Sequence, residues 1–120
     1  MKKNNIAIIG LGYWGTIVTN ALISLSIFKN IFIYDSDKNK VKIIKKKFGN
    51  KVISTDLSKI KKDIKIKNIF LATPPKNNFN IIRGILIIMK CNETRFSYIV
   101  TISRTKLVGI IIFFSAINQF

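Results

Sequence analysis

Three glycines carry the first chemistry this sequence offers. Gly10, Gly12 and Gly15 follow a short apolar run at residues 6–9 and precede a stretch with helical spacing. Glycines at the spacing G-x-G-x-x-G, at a strand-to-helix junction, suit a turn that holds a diphosphate. Gly10 allows the tight turn out of the strand. Gly12 has no side chain, so phosphate oxygens can approach the main chain. Gly15 lets the new helix pack closely on the strand. The first N–H groups of such a helix lack internal acceptors, and the helix dipole favours negative charge beside them.

The next candidate is Asp35. It ends a second apolar run, residues 31–34, and lies 20 positions beyond Gly15. An acidic residue near that distance is expected to accept from the adenosine ribose hydroxyls of a dinucleotide. A solvated turn residue is the plainer alternative. A further apolar run, residues 66–72, is stopped by Thr73, Pro74 and Pro75, because proline cannot donate to a sheet ladder. The glycine turn, Asp35 and residues 73–75 thus all fall at carboxyl ends of predicted strands, where open α/β sheets bind their ligands.

The elements that must position these residues alternate in type. Residues 6–9 are apolar and mostly β-branched, as in a strand buried on both faces. Ile17, Val18, Ala21, Leu22 and Leu25 recur at helical spacing over 14–26. A strand is expected at 31–34. A helix follows at 38–48, capped by Ser36 or Asp37, with Val41, Ile44, Lys45 and Phe48 inward and Gly49-Asn50 closing it. A strand at 51–54 leads into a short helix at 55–62, capped by Thr55 or Asp56, with Leu57 and Ile60 inward. The strand at 66–72 precedes a helix at 77–89 carrying Phe79, Ile82, Leu86 and Met89 on one stripe. Such alternation implies parallel strands joined by right-handed crossovers, hence an α/β, doubly wound sheet.

Size and composition bound this reading. The chain has 120 residues, enough for one domain with a real core. Its 48% hydrophobic and 22% charged residues exclude a largely disordered chain. The formal net charge is +16 with no His. Abundant Lys, Ile and Asn suggest a compositional bias over the whole chain, giving a solvated, Lys-rich surface with a general attraction to polyanions. A small basic nucleic-acid-binding protein is the reading charge alone would favour. No recognition-helix, zinc or aromatic–basic sheet motif supports it, so no specific nucleic-acid partner is expected. The single cysteine, Cys91, excludes an internal disulfide and fits a reducing compartment, the cytoplasm. Without His, neither a Cys–His pair nor a zinc site is expected, and no metal site is assigned. The uncharged run at 4–28 could imitate a signal peptide or spanning helix. Its spaced glycines and its Thr16, Thr19, Asn20, Ser24 and Ser26 argue for a strand–turn–helix unit, so no membrane partner is expected.

Gly-Leu-Gly-Tyr-Trp-Gly at 10–15, Asp35, Thr55-Asp56 and Ala-Thr-Pro-Pro at 72–75 resemble the N-terminal Rossmann domain of the Gfo/Idh/MocA oxidoreductases. The resemblance covers residues 6 to 90. It implies that Gly10, Gly12, Tyr13, Trp14 and Gly15 surround the pyrophosphate of NAD, with the Tyr13 and Trp14 side chains either touching ligand or packing at the helix start. It implies that Asp35 takes the adenosine ribose and favours NAD over NADP, a preference that Lys38 weakens, so NADP stays open. It implies that Ala72, Thr73, Pro74 and Pro75 line the nicotinamide ribose. The expected activity is hydride transfer in a sugar or sugar-nucleotide dehydrogenase.

The departures from the family matter as much. The family often has His shortly after the Pro-Pro pair, where Asn78 stands. Counting forward, the place of its Glu-Lys-Pro, which stands at the end of the family's fifth strand and whose Lys assists proton transfer, holds Arg95, Phe96 and Ser97. No catalytic residue is therefore assigned, and the 120 residues are not expected to catalyse on their own. The expected organisation is an incomplete Rossmann-type unit at 1–90 and an atypical apolar tail at 91–120, with no substrate domain. Residues 97–102 would add a fifth strand, and 107–117 a further strand or helix needing cover. This suggests a truncated or frame-shifted remnant of a longer dehydrogenase. A sugar substrate would belong only to a full-length relative, an oligomer is compatible with the sequence, and a non-catalytic dinucleotide-binding remnant is the alternative function.

Overall fold

The computed structural model describes residues 3–63, 65–73, 80, 81, 83, 97–101 and 112–114, the last two segments by backbone alone. Its centre is strand β1, Asn5–Ile9, every residue of which is buried. A strand so placed needs apolar side chains on both faces, which Ile6, Ala7, Ile8 and Ile9 supply. Beside it run β2, Ile31–Tyr34, and β4, Ile66–Leu71, both parallel to it. Beyond β2 lies β3, Ile53–Ser54, and beyond β4 lie β5, Ser97–Thr101, and β6, Ile112–Phe114. The order across the sheet is β3-β2-β1-β4-β5-β6.

Helices cover both faces. Helix α1, Tyr13–Leu25, and helix α2, Lys38–Phe48, pack on one face through Val18, Leu22, Ile23, Val41, Ile44 and Phe48. There they meet Ile6, Ile8, Ile31, Ile33 and Phe70. Helix α3, Leu57–Lys62, lays Leu57 and Ile60 on the other face, against Ala7, Ile9, Ile66, Ile69 and Leu71. The alternation along β1, even residues to one core and odd to the other, is the period of two that a pleated strand imposes. Each fully buried Ile or Leu here contributes about 1.5–3 kcal/mol. The doubly wound sheet expected from the alternation of elements is the fold observed.

Local signals explain most boundaries. Of the two candidate caps of α2, Asp37 fills the role, its side chain accepting from the Asn39 amide at 2.9 Å. Asp56 rather than Thr55 caps α3, accepting from the Lys59 amide at 2.8 Å. Replacing either by Ala should lower stability by about 1 kcal/mol. A urea midpoint that does not move would show the cap bonds to be idle. Gly49 closes α2 at φ +58°, its N–H returning to the Lys45 carbonyl. A 3-10 turn, Gly49–Lys51, then takes up Lys51, expected to begin the third strand, and the buried Val52 follows it as a bend, so β3 is only two residues long. Lys45 lies along the inner face of α2, and its Nζ donates to the Val52 carbonyl at 2.6 Å.

The far side of the sheet carries one departure in direction. Strand β5 is parallel to β4, whereas β6 runs antiparallel to β5. Only residues 102–111 separate these two strands, fewer than the dozen or so that a parallel crossover needs. The helix expected at 77–89 lies outside the described residues, except that 80, 81 and 83 are helical and Ile81 packs on the α3 face. The element expected at 107–117 is described only as β6.

Candidate functional site

Strands β1, β2 and β4 end level. Ile9 pairs with Tyr34 on one side and with Leu71 on the other. The residue after each strand is therefore at one edge: Gly10, Asp35 and Ala72. Two backbone bonds lock that edge, from the Gly10 amide to the Tyr34 carbonyl at 2.9 Å and from the Ala72 amide to the Ile9 carbonyl at 2.8 Å.

The three glycines separate into two kinds. A Cβ on Gly15 would lie 1.8 Å from the Gly10 carbonyl oxygen. Gly10 has φ +98°, and a Cβ there would sit 2.8 Å from the backbone of Ala72. Both positions are closed by the protein's own main chain. Around Gly12 a Cβ would meet nothing within 4 Å among the described residues. The fold needs Gly10 and Gly15 bare, whereas the space at Gly12 is open to a ligand.

Gly12 is also the N-cap of α1, and among the described residues no side chain caps that helix. The first helical bond runs from the Thr16 amide to the Gly12 carbonyl at 3.0 Å. The amides of Tyr13, Trp14 and Gly15 precede it, so they have no acceptor within the helix. They are donors beside open space at the positive end of a helix dipole, the arrangement that binds phosphate. No acidic residue lies in the first turn of α1 to compete. The residues present therefore fit a diphosphate.

Asp35 reaches into this turn. Its Oδ2 accepts from the Leu11 amide at 2.7 Å, and its Oδ1 accepts from the Asp37 amide at 2.8 Å. Tyr13 is 74% exposed and Trp14 38% exposed, their rings meeting edge to face at 5.5 Å between centroids. The Thr16 hydroxyl donates to the Leu11 carbonyl at 3.3 Å, and the buried Thr19 hydroxyl to the Gly15 carbonyl at 2.7 Å.

Of the expected site residues, Gly10, Gly12, Tyr13, Trp14, Gly15, Asp35, Ala72 and Thr73 thus lie along one edge of the sheet. Pro74 and Pro75 lie outside the described residues. Leu11 was not among the expected site residues, yet its amide joins the turn to Asp35. Its only trace in the sequence is an apolar residue between two glycines. The place assigned by counting to Glu-Lys-Pro, residues 95–97, does not coincide with a strand end, since Ser97 opens β5 and Thr101 closes it. The sequence after Thr101, Ile-Ser-Arg, also lacks that motif. Among the described residues, no helix is long and apolar enough to cross a membrane.

Solved structures share this architecture. GenD2 from gentamicin A biosynthesis, solved in complex with NAD, matches with a TM-score of 0.66 at 17% identity, covering 84% of this chain and 27% of that one. A pyrroline-5-carboxylate reductase from Coxiella burnetii matches with a TM-score of 0.68 at 19% identity, covering 85% and 36%. Levoglucosan dehydrogenase, in complex with NADH, matches at 0.59 and 17% identity, covering 83% and 27%. At such identities the likeness is one of fold. The chain spans roughly a quarter to a third of the length of these structures. No curated protein sequence matches it. The model of the oxidoreductase family with an NAD-binding Rossmann fold, Gfo/Idh/MocA, matches residues 4–90, and the chain belongs to that family.

Proposed function

We propose that residues 1–90 bind NAD and form the cofactor-holding part of a dehydrogenase acting on a sugar or sugar nucleotide. The observation that carries this reading is the uncapped start of α1, whose first amides face open space at Gly12. In this reading the amides of Tyr13, Trp14 and Gly15 hold the pyrophosphate. Asp35 accepts from the adenosine ribose hydroxyls, and its charge disfavours a 2′-phosphate, so NAD is preferred to NADP. Lys38, exposed in the first turn of α2, reduces that preference. Ala72, Thr73, Pro74 and Pro75 line the nicotinamide ribose. NAD supplies the hydride acceptor or donor for a substrate carbinol carbon. The chain's own part is to bind and orient, at the edge where β1, β2 and β4 end.

No residue of this chain is assigned as the proton acceptor that such a step needs. Turnover then requires a substrate-binding partner or domain, and a non-catalytic dinucleotide-binding protein is the second reading, favoured by the lack of Glu-Lys-Pro. The single cysteine supports a reducing compartment such as the cytoplasm.

Trp14 is the chain's single tryptophan and stands at the site. Titration with NAD should give a saturable change in its fluorescence and raise the thermal midpoint, at about 0.15 M salt to screen the lysines. A change that never saturates, with no thermal shift, would overturn the binding reading. A turnover assay with added substrate-domain partners separates the catalytic from the non-catalytic reading.

A further inference from the structure

The Asp35 carboxylate is engaged before any ligand enters. The bond from the Asp37 amide closes a local turn of the kind Asp favours. The bond from the Leu11 amide spans 24 positions and joins the end of β2 to the glycine turn. With the Gly10 amide held by the Tyr34 carbonyl, the end of β2 grips two successive amides of that turn. Leu11 is only 4% exposed, so its amide, deprived of Asp35, would be a donor poorly placed to find water. A bond to a charged acceptor is also the stronger kind. Gly12 follows directly, and the donors of Tyr13, Trp14 and Gly15 follow Gly12.

We propose that Asp35 is a positioning residue for the diphosphate turn as well as the acceptor for the ribose. By holding the Leu11 amide it fixes the turn in the ligand-free chain, and it couples the ribose end of the site to the diphosphate end. This inference rests on the dinucleotide reading. The bonding capacity of the carboxylate permits both roles. An ionised carboxylate offers about four lone-pair directions. The backbone takes one on each oxygen, which leaves one on each for a ribose hydroxyl. The Leu11 amide is correspondingly committed to Asp35, and the diphosphate is left to the amides at the start of α1.

The test compares ADP with 2′,3′-dideoxy-ADP, which keeps the diphosphate but lacks both ribose hydroxyls. Each is titrated calorimetrically into the parent chain and Asp35→Asn, and Leu11 amide exchange is followed without ligand. Asn has nearly the same shape but turns an NH2 toward one of the two amides. The expected result is that Asp35→Asn weakens dideoxy-ADP about fivefold, weakens ADP further so that the preference for ADP disappears, and speeds exchange at Leu11. An unchanged affinity for dideoxy-ADP would confine Asp35 to the ribose and overturn the proposal. Equal losses for both nucleotides, with the preference for ADP intact, would make Asp35 a structural residue only and also overturn it. Failure of the parent chain to bind either nucleotide would instead overturn the dinucleotide reading, and the inference with it. If Asp35→Asn does not fold, Asp35→Glu, which carries the charge one methylene further from Leu11 but keeps a carboxylate for the ribose, is judged by dideoxy-ADP: weaker binding is expected, and an unchanged affinity overturns the proposal.

Discussion

Gly15→Ala is expected to destabilise the chain by about 3 kcal/mol or more, at the upper end of what a single substitution costs. The added Cβ would be placed 1.8 Å from the Gly10 carbonyl oxygen and 2.8 Å from its carbon. Both are main-chain atoms in the tightest part of the turn, so no rotamer change relieves the clash. Relief requires α1 to move off β1. That would open the core where Val18 and Leu22 pack and strain the bond from the Thr19 hydroxyl to the Gly15 carbonyl. Urea unfolding followed by far-UV circular dichroism measures the loss. A midpoint close to the parent's would mean that the close approach of helix and strand is not what holds this corner.

Gly12→Ala should do the opposite. Among the described residues nothing lies within 4 Å of the new methyl group, and Gly12 has φ −76°, a value open to Ala. The change in stability should be about 1 kcal/mol or less, the difference between Gly and Ala at an N-cap. Affinity for NAD should fall roughly tenfold to a hundredfold, since the methyl group stands where a phosphate must approach the charged-ligand donors of α1. The pair of substitutions therefore separates fold from function within one motif. If Gly12→Ala bound NAD as well as the parent does, the open space at Gly12 would not be the diphosphate site.

The glycine spacing already gives Gly10, Gly12 and Gly15 separate tasks, and the structure adds which atoms enforce them. Spacing reveals that a turn must be bare. It does not reveal which neighbour demands it, because Ala72 approaches Gly10 from across the sheet. The same limit applies to Asp35. Its place after β2 was readable from the apolar run that ends there, but its bond to Leu11 depends on parallel pairing of β1 and β2 in one register. Strands β1 and β2 were legible because they are short, apolar and bounded by Gly, Lys-Asn and Asp. The third strand was read too long, since Gly49–Lys51 continues as a 3-10 turn that no periodicity announces. The cap pairs Ser36/Asp37 and Thr55/Asp56 could not be resolved by residue type, as all four are good caps. Beyond Ala-Thr-Pro-Pro the sequence lacks the family's further motif, and there the reading of function loses its residues.

Whether the start of α1 receives a diphosphate is read out by an amide-resolved NMR titration of isotope-labelled chain with NAD at about 0.15 M salt. Saturable shifts concentrated at Gly12, Tyr13, Trp14 and Gly15, with a smaller set at Asp35, are the predicted result. Shifts spread instead over the lysines of α2 and α3, growing without saturation and fading with salt, would reduce the attraction to the charge of a +16 chain and contradict the account.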